Sequence, residues 1–179
     1  MEIPEGLVGG SFKYQASKIL SHQATRNFVK EHNPHFNTVT LHPTYVLGPS
    51  LVQKSPETIN DVVGMMMMSL QSEQPFFQPM IVDVRDVADA TFGAINANIE
   101  EKFTEFLLKG LKYNWDSIVS FVKQTYPTFP LKLEPPFDQG YLDLDTSRAE
   151  EILGVKWRSM ENILTSTLDQ QLALMSGGE

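Results

Sequence analysis

A chain of 179 residues, 41% hydrophobic and 20% charged, has the length of about one domain and enough apolar side chains for a core, which excludes a disordered, collagenous or low-complexity polypeptide. Lys and Arg number 14 against 22 Asp and Glu, a net charge of -8, so polyphosphate surfaces are repelled and nucleic-acid binding is excluded. With no cysteine there is neither a disulfide framework nor a thiolate metal site, which suits a reducing compartment such as the cytoplasm.

The start of the chain is acidic and broken by Pro4 and Gly6, unlike the basic-then-apolar start of a secretory leader. No apolar run approaches the ~18 residues of a membrane span, so no membrane partner is expected. Gly6, Gly9 and Gly10 read as a flexible approach to the first helix. They lack a preceding strand and the spacing of a phosphate-binding glycine loop. From Ser11 a stretch free of Gly and Pro runs to Asn33, with Tyr14, Ile19, Phe28 and Val29 among good helix formers. It predicts a helix over 12–31, ended by Pro34. Thr38 to His42, bounded by Asn37 and Pro43, has the β-branched pattern of a short buried strand. Val46-Leu47-Gly48-Pro49-Ser50 reads as a loop, and Ser55-Pro56-Glu57 as a capped start of a helix over 56–71.

A second loop spans Gln74 to Pro79, after which Met80-Ile81-Val82 leads to Asp83, the cap of a helix over 84–97. Residues 102–108 read as a strand that Gly110 ends, and Asn114 caps a helix over 115–125. Prolines between Pro127 and Gly140 enforce extended chain or loop. Asp145-Thr146-Ser147 caps a short helix closed by Gly154, and a last helix takes 159–175. The alternation of helix and strand predicts an α/β fold. Two or three strands against five or six helices are too few for a sheet covered on both faces, so part of that sheet is expected to be absent.

Tyr14 and Lys18 stand four residues apart on the first helix and so share one face. A phenol titrates near ~10, and a neighbouring ammonium favours its phenolate, which makes it a better proton donor to a substrate oxygen at neutral pH. An amphipathic helix with a solvated lysine gives the same spacing. His32 and His35 flank Pro34 and cannot share a helical face, so no metal site is expected there. His42 reads as a packed histidine at the strand end. Asp143 and Asp145 read as a strand end and an N-cap, and Arg85 and Arg148 carry no assigned role.

The segment Ser11-Phe12-Lys13-Tyr14-Gln15-Ala16-Ser17-Lys18, followed by Leu41-His42-Pro43-Thr44-Tyr45-Val46-Leu47-Gly48-Pro49, resembles the extended short-chain dehydrogenase/reductases. Ile81-Val82-Asp83-Val84-Arg85-Asp86-Val87-Ala88 and Leu144-Asp145-Thr146-Ser147-Arg148-Ala149 resemble later motifs of the same family, so the likeness covers residues 11–175. Its nearest branch is the NADPH-dependent carbonyl reductases, which include dihydroflavonol and methylglyoxal reductases. Epimerases and dehydratases of the family use the same Tyr and Lys.

The resemblance implies Tyr14 as the acid that protonates the carbonyl oxygen. It implies Lys18 as the group that lowers the phenol's pKa and holds the nicotinamide ribose. Pro43 and Val46 are the implied nicotinamide contacts, NADP(H) the implied cofactor with NAD(H) left open, and a small-molecule carbonyl compound the implied substrate. Met65 to Met68, Phe76 and Phe77 would wall the substrate pocket or simply fill the core.

The family's glycine-rich strand-turn-helix and its carbonyl-orienting Ser or Thr are not among these residues; Ser11 lies too close to Tyr14 for that role. The chain thus reads as the C-terminal part of a Rossmann-like, doubly wound sheet with a small, mostly helical substrate-binding lobe, the N-terminal dinucleotide-binding half absent. One incomplete domain is expected over 1–179, with the catalytic helix and strand over 11–50 and the lobe over 51–179. Poor solubility, a homodimer or a complementing N-terminal half is expected of it, and a truncated reductase or a non-catalytic relative acting as an interaction module are its two functional readings.

Overall fold

A computed structural model of the chain describes residues 6–137 and 143–177. The first five residues, part of the proline-rich stretch and the last two residues lie outside the described residues. The chain divides into two compact units: residues up to Thr40 with Asn98–Glu105, and Leu41–Ala97 with the chain from Phe106 onward.

The first unit is built on helix α1, Gly6–His32. The helix starts at Gly6, not at residue 12, so the three glycines expected to form a flexible approach lie inside it. Once the Gly-free stretch behind them is helical, each further residue adds one backbone bond without a new nucleation cost, and no proline intervenes after Pro4. Asn33 ends the helix in the left-handed region, φ 40°, and its N–H donates to the Val29 oxygen at 3.0 Å.

The returning chain is tied by side chains: Asn37 Nδ2 donates to the Ile99 oxygen at 2.6 Å and Lys102 Nζ to the Pro34 oxygen at 2.9 Å. His22 pairs with Glu105 at 2.7 Å, and the Arg26 guanidinium lies over the Phe103 ring at 5.8 Å. Val29 is the one fully buried apolar side chain of this unit among the described residues.

Strands β1, Thr38–Pro43, and β4, Phe103–Leu108, pair with each other, and each continues from the first unit into the second. The expected strands at these places are present. In the second unit β2, Tyr45–Leu47, runs parallel to β3, Ile81–Asp83, with Val46 opposite Val82. Val46 and Leu47, expected in a loop, are therefore strand residues. The reason is non-local: β2 gains its ladder from a partner more than thirty residues away.

The helix expected over 56–71 is broken in two. A 3-10 turn covers Pro56–Thr58, Ile59 is extended at ψ 136°, and α2 runs Asp61–Leu70. Asn60 Oδ1 accepts from the Val63 N–H at 2.8 Å, a better cap than continued helix would offer that side chain. Helices α3, Val84–Asn96; α4, Trp115–Thr125; α5, Ser147–Leu153; and α6, Met160–Ser176, follow within a residue or two of expectation. Gly154 ends α5 at φ 69°, where a side chain would be strained.

The core of this unit joins Met66, Met67 and Leu70 of α2, Ile118 and Val122 of α4, and Ile163, Leu164 and Leu168 of α6. Trp115 donates its Nε1 to the Phe77 oxygen at 3.0 Å, and the two rings meet edge to face at 5.4 Å. Met66, Met67 and Phe77 are thus core residues, whereas Met68 and Phe76 are exposed.

Candidate active site

In the first unit, α1 brings Tyr14 and Lys18 together. The Lys18 Nζ lies 5.5 Å from the centroid of the Tyr14 ring. The phenol is 63% exposed, so it can exchange its proton with water and meet a ligand from outside. The helix backbone beneath the pair is secured by Ser17 Oγ donating to the Tyr14 oxygen at 2.7 Å and Ser21 Oγ to the Lys18 oxygen at 3.0 Å. The pair thus sets a hydroxyl and a cation side by side on an exposed face of the helix.

In the second unit, the turn from β2 into the following loop and the start of α3 enclose a cavity of about 390 Å3, within the size range of small-molecule sites. Val46, Leu47, Pro49, Leu51, Val84 and Ala88 give it apolar walls; Ser50, Asn60 and Arg85 are its polar members. Gly48 makes the turn possible. It sits at φ +127°, and a Cβ there would meet Val84 Cγ1 at 2.8 Å.

Of the two implied nicotinamide contacts, Val46 lines this cavity, whereas Pro43 is exposed at the end of β1 and is not part of its wall.

Arg85 is the one cation of the wall, and its charge is matched. The Asp83 carboxylate, fully buried, accepts Arg85 Nε at 2.8 Å and Nη2 at 2.6 Å, and its Oδ1 also caps α3 by accepting the Arg85 N–H at 2.7 Å. These bonds hold the guanidinium more firmly protonated than an ordinary arginine. Arg85 Nη2 reaches on to Asn162 Oδ1 and Ser166 Oγ, both at 3.0 Å, joining α3 to α6. A second tie of the same kind links Asp86, also fully buried, to the Arg158 guanidinium and to the Arg158 backbone N–H, the latter at 3.1 Å. Burial pushes the Asp86 carboxyl up, opposed by these bonds from Arg158.

A neutral, mostly apolar cavity with its cation already paired suits an uncharged ring better than a phosphate. The remaining candidates each have a partner within the fold. Arg148 lies over the Phe106 ring at 5.7 Å, Asp145 Oδ1 accepts the Ser147 N–H at 3.0 Å, Asp143 faces Lys109 at 3.6 Å, and His32 stacks on Phe28 at 4.7 Å. Sequence reasoning missed Gly48 and Arg85 as members of a cavity. A Gly-Pro pair just after an apolar triplet, and an Asp-x-Arg at a helix start, were the signals available.

The chain's fold is α/β and is similar to that of solved Rossmann-like reductases over about half of their length. It superposes on Gre2 of Candida albicans, solved in complex with NADPH, with a TM-score of 0.69 at 22% identity, covering 94% of this chain and 52% of that one. No family model matches the chain. In sequence it is 29% identical over 163 residues to ketoreductase sphI of Aspergillus fumigatus, covering 89% of this chain and 49% of the relative. It is 27% identical over 151 residues to tetraketide alpha-pyrone reductase 1 of Arabidopsis thaliana, covering 84% and 45%. These relatives are a ketoreductase and a pyrone reductase, so the chain is similar to NAD-dependent epimerase/dehydratase-like reductases. It spans about half the length of the curated relatives it matches. No helix among the described residues is long and apolar enough to cross a membrane.

Proposed function

We propose that the chain carries the proton-donating and nicotinamide-contacting part of an NADPH-dependent ketone or aldehyde reductase. The observation that carries this reading is the Tyr14–Lys18 pair, one helical turn apart with the ammonium 5.5 Å from the ring centroid, in a chain whose relatives are ketoreductases. NADPH, when bound, supplies the hydride that reduces the carbonyl carbon.

Tyr14 holds the carbonyl oxygen by its hydroxyl and gives up that proton as the alcohol forms. Lys18 stabilises the phenolate left behind and holds the nicotinamide ribose hydroxyls, and water returns the proton to the exposed ring. Val46 and Pro43 would contact the nicotinamide, leaving the neutral cavity beyond Val46 to the carbonyl compound. The glycine-rich phosphate cradle belongs, in this reading, to a complementing N-terminal half, and the assembled enzyme is a homodimer working in the cytoplasm.

The test is Tyr14→Phe assayed with NADPH and simple ketones and aldehydes. Reduction is expected to fall at least about a hundredfold, the usual worth of a positioned general acid, with NADPH binding unchanged. An unchanged rate would overturn the role of Tyr14, and a folded chain that binds NADPH yet reduces nothing in either form would favour a non-catalytic relative that keeps the lobe for interaction.

A further inference from the structure

Two consecutive glutamines of α6 hold the rim of the cavity at Val46. Ser50 donates its backbone N–H to Gln170 Oε1 at 2.7 Å, and its carbonyl oxygen accepts Gln170 Nε2, also at 2.7 Å. One side-chain amide thus closes on one residue's backbone much as a neighbouring strand would. Because a backbone N–H only donates and a carbonyl only accepts, the orientation of that amide is fixed.

At the next position Gln171 exchanges a second pair of bonds with Gln53, at 3.0 and 2.8 Å. Gln53 Nε2 also reaches the Ser55 oxygen at 3.1 Å, which fixes the orientation of this amide pair as well. Gln53 and Gln171 are 9% and 1% exposed, so these bonds are made away from water. Ser50 Oγ accepts from the Val52 and Gln53 N–H groups at 3.3 and 3.1 Å and turns the loop back on itself. Between the two ties, Leu51 and Val52 are 100% and 84% exposed, and Leu51 forms part of the cavity wall.

Immobilising two long glutamine side chains costs conformational entropy. The loop they immobilise buries neither of its aliphatic side chains, so core packing does not account for its rigidity. We propose that Gln170 and Gln171 are positioning residues: they keep Ser50–Gln53 as a preformed apolar rim, so that the cavity takes an uncharged aryl or alkyl ketone without first ordering its wall. The proposal rests on the reading of this cavity as part of a reductase site and extends it to residues on a different helix. The wall selects the ligand. Six apolar side chains surround one arginine that Asp83 already neutralises, so a ketone is accepted and a carboxylate of the same size is not.

The test uses the whole chain with acetophenone as probe and benzoate as its charged counterpart, read by saturation-transfer NMR, together with amide hydrogen exchange. The wild-type chain is expected to bind acetophenone and not benzoate. Gln170→Leu removes both bonds to Ser50 and is expected to speed exchange at Ser50 and raise the acetophenone Kd by roughly tenfold, while circular dichroism stays unchanged. Gln171→Met, which conserves volume, shifts Kd the same way. Gln170→Glu keeps the acceptor for the Ser50 N–H and recovers part of the loss, and it carries the test if Gln170→Leu does not fold.

A Kd within twofold of wild type in the folded variants overturns the proposal, since a merely structural role would change stability and leave Kd alone. Failure of the wild-type chain to bind acetophenone, or binding of benzoate instead, overturns it as well. Neither result bears on Tyr14 and Lys18, which the Tyr14→Phe assay decides separately.

Discussion

Charged and polar side chains act here mainly by being matched at short range. Asp83 is both the cap of α3 and the counter-ion of Arg85, and that double use turns a cationic wall residue into a neutral one. Tyr126 is matched in a similar way. Its hydroxyl donates to Asp169 Oδ1 at 2.7 Å, and partial burial first, then the acceptor beside it, push its pKa up to about 12.

The folded chain therefore holds the phenolic proton more tightly than the unfolded chain, whose tyrosine titrates near ~10. The stability this contributes is complete below pH ~10 and is lost as the pH rises toward 12. Tyr126→Phe is expected to cost about 1 kcal/mol at neutral pH, the net worth of one hydrogen bond, and to flatten the alkaline part of the stability profile. Urea unfolding at stepped pH, followed by fluorescence, checks both. A variant with the wild-type pH slope between 10 and 12 would show that the Asp169 bond is not made in solution.

Single elements were legible to the degree that their signals are local. Asn114, Asp83 and Ser159 cap α4, α3 and α6 by accepting from the backbone N–H two or three residues on, and such caps can be read from adjacent residues. Strand β2 could not be read that way, because three residues ahead of Gly48-Pro49 look like a loop until β3 lies alongside. The break in the expected helix over 56–71 was hidden because Ser55-Pro56 gives a valid start signal and Asn60 gives another; the structure uses both. The glutamine ties between α6 and the Ser50 loop join residues some 120 positions apart, beyond any local pattern.

Helix α1 makes the prediction at this scale. Phe12, Ile19 and Leu20, at positions i, i+7 and i+8, form an exposed apolar stripe. Such a stripe drives association, so the sedimentation coefficient of the chain is expected to rise with concentration, and Ile19→Lys with Leu20→Glu is expected to abolish the rise. A concentration-independent monomer without those substitutions would contradict it.

At the scale of the molecule, the proposed reading gives this chain the parts of a reductase that act on the carbonyl, and no glycine-rich phosphate cradle lies among its described residues. The helix bearing Tyr14 and Lys18 was legible from its spacing and from the motifs after it. The neutral character of the cavity at Val46 was not, since it depends on the Asp83–Arg85 pair and on Gly48 at positive φ.

The central claim is that these 179 residues carry a usable nicotinamide site, and a fluorescence titration of the folded chain with NADPH tests it most directly. The account predicts saturable binding that Lys18→Ala weakens and Tyr14→Phe leaves intact. A chain folded by circular dichroism that shows no saturable NADPH binding would contradict it.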